Sequence, residues 1–121
     1  MKSAITWFEI PVQDMKRAVA FYEAMLDTKL KQELFGGTPN AIFPSAQEGV
    51  GGALVLDPRL TPHNHSTVLY LNAAGKLDEC LSRAREAGGV ITMPKTHIGD
   101  PGFIALVQDT EGNCVGLHSP T

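Results

Sequence analysis

Apolar and polar positions change period several times along the chain, and each change marks an element. Ile5 to Val12 is rich in β-branched and aromatic residues and runs into a proline, which predicts a strand. Asp14 then stands where a helix would be capped, and a helix is expected to about Leu26. Val19, Tyr22 and Leu26 fall at helical spacing, and Met15, Ala18, Phe21 and Met25 widen the same apolar face. Arg17 takes the position where a capping box would have glutamate. Three short extended runs follow, Lys29 to Phe35, Asn40 to Pro44 and Gly52 to Asp57, with turns at Gly36-Gly37 and Glu48-Gly49.

The same order then returns. Pro58 to Ser66, with two prolines, an asparagine and two histidines, reads as a connection. A strand is expected over Thr67–Asn72. A helix follows over Lys76–Ala87, with Leu77, Leu81 and Ala84 on one face and Gly88-Gly89 as its C-cap. Val90–Met93, Phe103–Gln108 and Cys114–His118 read as strands, the last two joined by a turn at Asp109–Asn113 in which Gly112 can take positive φ. The chain is thus expected to be a single α+β domain, residues 1–121. It is divided into a βαβββ module at about 4–58, a connection at 59–66 and a second βαβββ module at about 67–119.

One helix covers one face of a four-stranded sheet, so each module keeps a bare face. Strand parity assigns its residues. Phe8 and Ile10 suit the first helix, leaving Trp7 and Glu9 on the other side. Leu69 and Leu71 suit the second helix, leaving Val68, Tyr70 and Asn72. Val115 and Leu117 go to the core, leaving Cys114, Gly116 and His118. Two aromatic rings with a carboxylate, an amide and an imidazole make a plausible lining for a small-molecule pocket. The plainer alternative is that Trp7 and Tyr70 only pack sheet on sheet.

Composition narrows the field. In 121 residues, 43% apolar and 19% charged describe an ordinary globular domain. A net charge of −3 offers no footprint for nucleic acid, and no apolar run approaches the ~18 residues of a membrane span. The charged start does not read as a signal peptide, so a cytoplasmic protein is expected, with Cys80 (semi-buried on its helix) and Cys114 as free, inert thiols. His63-Asn64-His65 has a metal-like spacing but sits in the connection between Pro62 and Ser66, where solvated histidines are the commoner outcome. His97 falls in a Gly/Pro-containing stretch, Lys95–Gly102, that reads either as a lid hinged at Gly99 and Gly102 or as a plain surface loop.

Several segments together resemble the vicinal oxygen chelate superfamily, the glyoxalase / bleomycin resistance / dioxygenase proteins. They are Trp7-Phe8-Glu9-Ile10-Pro11-Val12-Gln13-Asp14-Met15 leading into Arg17-Ala18-Val19-Ala20-Phe21-Tyr22, then Leu71-Asn72, Glu86-Ala87-Gly88-Gly89 and Asp109-Thr110-Glu111-Gly112-Asn113. The resemblance implies two βαβββ modules whose curved sheets form a cup, and a homodimer in which modules of different chains share each cup. It also implies a divalent metal held by His, Gln and Glu on the first, fourth, fifth and eighth strands in the metal-using members. Here those positions fall on Trp7, within Gly51–Leu56, on Val68 (or Thr67), and on Gly116, none of them a good ligand. No cofactor is therefore expected, and no metal.

The expected function is binding of a small organic molecule in an aromatic-lined, dimer-shared cup, with Trp7, Glu9, Tyr70, Asn72 and His118 lining it. Two alternatives stand beside it. One is a glyoxalase-like lyase or isomerase, or a dioxygenase-type enzyme, using displaced metal ligands or acid–base chemistry by Glu9 and His118. The other is an interaction module whose cup is closed by its own side chains.

Overall fold

Asp14 begins the first helix as its sequence position predicts. Its backbone is extended (φ −134°), and its carboxylate accepts the Arg17 N–H at 3.0 Å. In the computed structural model, which describes residues 3–64 and 67–121, this helix α1 spans Met15–Leu26. It ends where Asp27 turns left-handed and returns its N–H to the Ala24 carbonyl. Ala18, Val19, Phe21, Tyr22 and Met25 are buried on one face. The large ones contribute roughly 1.5–3 kcal/mol each through the apolar area they remove from water.

Around α1 stand β1 (Trp7–Pro11), β2 (Lys31–Phe35), β3 (Thr38–Ile42) and β4 (Gly51–Val55), in the sheet order β1-β4-β3-β2. The second half repeats this with β5 (Tyr70–Asn72), α2 (Leu77–Glu86), β6 (Val90–His97), β7 (Phe103–Gln108) and β8 (Cys114–Ser119), in the order β5-β8-β7-β6. β1 runs parallel to β4 and β5 parallel to β8, and the remaining pairs are antiparallel. The architecture is the expected pair of βαβββ units. Neither helix is long and apolar enough to cross a membrane.

The halves meet through their helices. α1 packs on α2, and Arg83 Nε donates to the Met25 carbonyl at 3.2 Å. One apolar cluster runs through both, from Phe21, Tyr22 and Leu54 to Leu77, Leu81 and Leu117. A polar stitch reinforces it. The turn between β7 and β8 presents Glu111, whose Oε1 accepts the N–H groups of Gln13 and Asp14, each at 2.8 Å, and whose Oε2 takes Arg17 Nε at 2.6 Å. Asp109 in the same turn accepts the Tyr22 hydroxyl at 2.6 Å, and Asn113 Nδ2 donates to the Pro11 carbonyl at 2.8 Å.

Two expectations need correction. β6 does not stop at Met93 but continues through Pro94 to His97, with register shifts that absorb the proline. An edge strand has no neighbour on one side to miss the absent N–H. Of the stretch read as a hinged lid or a plain loop, Lys95, Thr96 and His97 are therefore strand. Only a short turn remains, closed by Ile98 N–H donating to Gly102 O, and the His97 ring lies 5.0 Å from that of Phe103. Cys80 is also fully buried rather than half-buried, because α2 is covered by α1 as well as by its own sheet. Of the paired histidines in the connection, His65 lies outside the described residues, as does Ser66.

Candidate functional site

Each sheet leaves a face uncovered by its helix, and the side chains assigned there by parity are exposed on the edge strands and half-buried on β8. On the first sheet Trp7 and Glu9 are exposed while Ile10 is buried and Phe8 half-buried, packed on Phe43. The Trp7 indole N–H donates to Glu9 Oε2 at 3.3 Å. On the second sheet Tyr70 and Asn72 are exposed, Cys114 and His118 half-buried, and Val115 and Leu117 buried.

In both halves an aromatic ring on the edge strand lies over a glycine on its parallel neighbour. Trp7 pairs with Gly51, and a β-carbon at position 51 would stand 3.1 Å from Trp7 Cζ3. Tyr70 pairs with Gly116, where the corresponding approach to Tyr70 Cδ1 is 2.4 Å. Glycine at position 116 is what lets the ring lie there, because any side chain would occupy the ring's place. The result is a flat aromatic plate on each bare face.

Two hollows adjoin these plates. The larger, about 760 Å³, lies between the modules along β5, lined by Phe8, Phe43, Leu69, Tyr70, Leu71 and Asn72 among others. The smaller, about 340 Å³, sits on the first sheet and is lined by Trp7, Glu9, Phe35, Thr38, Asn40, Val55, Asp57 and Arg59. The residues singled out from the sequence thus divide. Trp7 and Glu9 line one hollow, Tyr70 and Asn72 the other, and His118 neither. Within one chain they do not converge.

Some carry structural duties as well. Asn72 Oδ1 accepts the Ala74 N–H at 2.9 Å, shaping the turn into α2. His118 Nε2 lies 2.7 Å from the Pro101 carbonyl, and since a carbonyl only accepts, that nitrogen carries the hydrogen. Glu9 and His118 stand on different sheets, each with its own partner.

Phe35, Asn40, Asp57 and Arg59 were not foreseen. Asn40 is a buried amide in β3, opposite Val55 on one side and Glu33 on the other, and a polar residue directly before Ala41-Ile42-Phe43 was the available signal. Arg59 grips Asp57 with two hydrogen bonds, Nε to Oδ1 at 3.1 Å and Nη2 to Oδ2 at 2.8 Å. The guanidinium, helped by the Arg59 backbone N–H, lowers the Asp57 carboxyl to about 2.

The glyoxalase/bleomycin resistance protein/dioxygenase superfamily model matches residues 4–117. The chain belongs to that superfamily. Solved structures agree on the fold. A glyoxalase/bleomycin resistance protein from Albidiferax ferrireducens T118 superposes with a TM-score of 0.77 at 16% identity, over 97% of this chain and 99% of that one. FosX, the genomically encoded fosfomycin resistance protein of Listeria monocytogenes, gives 0.68 at 15% identity, over 100% and 96%. TnmS3, an antibiotic binding protein from Streptomyces sp. CB03234, gives 0.63 at 21% identity, over 98% and 97%. A search of curated proteins gives no match.

Metal-using members of the superfamily set the expectation of ligands on β1, β4, β8 and near β5. In this chain those places hold an indole, a strand of Gly51, Gly52, Ala53, Leu54 and Val55, a valine or threonine, and a glycine under a tyrosine ring. These groups do not fit a divalent ion, which needs imidazole, carboxylate or amide donors. Among the described residues no three His, Cys, Asp or Glu side chains stand close enough to hold one together.

Proposed function

We propose that this protein binds a small organic molecule, without the superfamily's metal, in a cup completed by a second copy of the chain. Trp7 and Tyr70 supply stacking surface; Glu9, Asn72 and His118 orient the ligand. The observation that carries this reading is the pair of aromatic plates, Trp7 over Gly51 and Tyr70 over Gly116; the resemblance matches Trp7 and Gly116 to metal-ligand positions. A ring laid on glycine presents a flat apolar surface that favours another flat face.

Three features support a shared site. β1 and β5 each end a sheet with one edge open. Ile5, Trp7, Val68 and Tyr70 are large apolar groups left exposed beside those edges. The two halves of the predicted lining also stay apart in one chain and would meet only across two. TnmS3, described as antibiotic binding, and FosX, described as a resistance protein, are similar in fold and compatible with a role in handling small molecules.

The test uses mixed dimers. Size exclusion with light scattering is expected to give a dimer mass. Thermal-shift screening with planar aromatic compounds is expected to find a stabilising ligand for the metal-stripped protein. Trp7→Ala and Tyr70→Ala should each weaken its binding about tenfold or more with little change in melting temperature. Co-refolding the two variants rebuilds one cup that holds both rings in each mixed dimer, and should restore binding at about a quarter of all sites in an equal, random mixture. A monomer, a stoichiometric metal needed for binding, or no restoration on mixing would overturn the reading.

A further inference from the structure

The smaller hollow has a chemical bias of its own. Its polar lining consists mainly of acceptors. Glu9 is exposed, and among the described residues its one hydrogen-bond partner is the Trp7 indole N–H. Asn40 is only 5% exposed; its Nδ2 donates one hydrogen to the Thr38 carbonyl at 3.0 Å, and its Oδ1 remains able to accept. The only cation in the wall, Arg59, has Nε and Nη2 committed to Asp57. With Glu9, Asp57 and Arg59 as its charged groups, the hollow carries a net charge of −1.

Two aromatic rings, Trp7 and Phe35, complete the wall, both about half exposed. Ring faces attract a cation through their quadrupole, and a nearby carboxylate adds charge attraction. An anion would meet Glu9 unshielded, and the charge of Arg59 is already offset by Asp57. A neutral ligand would gain the rings but leave the carboxylate uncompensated.

We propose that the hollow bounded by Trp7, Phe35, Glu9 and Asn40 is a subsite for an organic ammonium group carried on an aromatic or apolar body. This deepens the reading given above and rests on it, since the same Trp7 ring borders the subsite and the stacking plate. The ammonium sits against the Trp7 ring with Glu9 as its counter-charge, while the apolar body extends across the hollow toward Asn40 and Phe35.

Three near-isosteric probes separate the possibilities: 2-phenylethylammonium, 2-phenylethanol and phenylacetate. The chain has a single tryptophan, so its indole N–H gives one resonance in an ¹⁵N spectrum, reporting directly beside Glu9. The ammonium is expected to shift that resonance saturably, with the alcohol about tenfold weaker and the anion weaker still. Glu9→Gln keeps an acceptor for the indole but removes the charge. It should cost the ammonium about tenfold in affinity and leave the alcohol unchanged. Phe35→Leu should weaken the ammonium several-fold. Equal binding of ammonium and alcohol, unchanged in Glu9→Gln, would overturn the cation subsite while leaving the stacking plate standing. Preference for phenylacetate would overturn it in favour of an anion at Arg59. No response to any probe from the folded dimer would overturn it too, and the mixed-dimer experiment would then decide the wider reading separately.

Discussion

The ring of Tyr70 fills the space where Gly116 would carry a side chain: a β-carbon there would stand 2.4 Å from Tyr70 Cδ1. The ring is half exposed, so it can swing away. Gly116→Ala is therefore expected to expel the ring at a small cost, about 1 kcal/mol or less, while reducing affinity for a stacked ligand as much as Tyr70→Ala does. Parallel thermal melts and ligand titrations check this. A variant that binds normally would mean the ring's position is immaterial.

Glu111 offers a different kind of test. Its carboxylate is buried and answers three donors from the start of α1, the Gln13 and Asp14 backbone N–H groups and Arg17. Replacing it with alanine takes the acceptor from two N–H groups and returns the half-exposed Arg17 guanidinium to water, and should cost about 2–3 kcal/mol in urea denaturation. Burial by itself raises this carboxyl, but Arg17 and the two N–H groups outweigh it and hold it below its ordinary 4.5. A depressed pKa gives stability that is fully present above about 4.5 and is lost as pH falls through the lower folded value. Acid should therefore erode the wild type in that window, and Glu111→Gln should flatten the dependence.

Tyr22→Phe removes one donor from a crowded acceptor. Asp109 also receives the Glu111 and Asn113 N–H groups and Asn113 Nδ2, so it stays partly satisfied. A loss of about 1–3 kcal/mol is expected, the range for a hydrogen bond to a charged group. Burial, and then the Asp109 charge, push the Tyr22 hydroxyl well above its ordinary 10. It should stay protonated in alkali until the protein unfolds, which ultraviolet titration with parallel circular dichroism would show.

Arg59 holds Asp57 at about 2, and Arg59→Ala should return that carboxyl toward its ordinary 3.8 in a carbon-detected NMR titration. The same change deletes the cation from the smaller hollow. Affinity for 2-phenylethylammonium should then rise several-fold at neutral pH, and the gain should shrink in high salt.

Most of the fold was legible because hydrophobic period and local signals agreed. Asp14, the Ala18–Met25 face and Gly112 each state their role within a few residues. Parity also placed Trp7, Glu9, Tyr70 and Asn72 on the bare faces, since a period of two needs no knowledge of neighbours. What stayed hidden depended on contacts distant in sequence. Glu111 reads as one more turn residue until α1, 94 positions away, is folded against it. Asn40, Asp57 and Arg59 become a wall only when β3, β4 and the following segment are brought beside β1. Pro94 argued for an ending, and only the edge position of β6 explains why the strand passes through it.

The irregular passage of β6 through Pro94 bears on how copies of this chain can associate. Outer strands invite strangers to add on, and a proline with slipped register refuses them. The other outer strand, β2, displays Lys31 and Glu33. β5, Tyr70–Asn72, carries neither a charge nor a proline, whereas β1 has both Glu9 and Pro11, so any growth is steered to β5. In the dimer proposed above a partner would cover that margin, leaving outermost only strands that carry a charge or a proline.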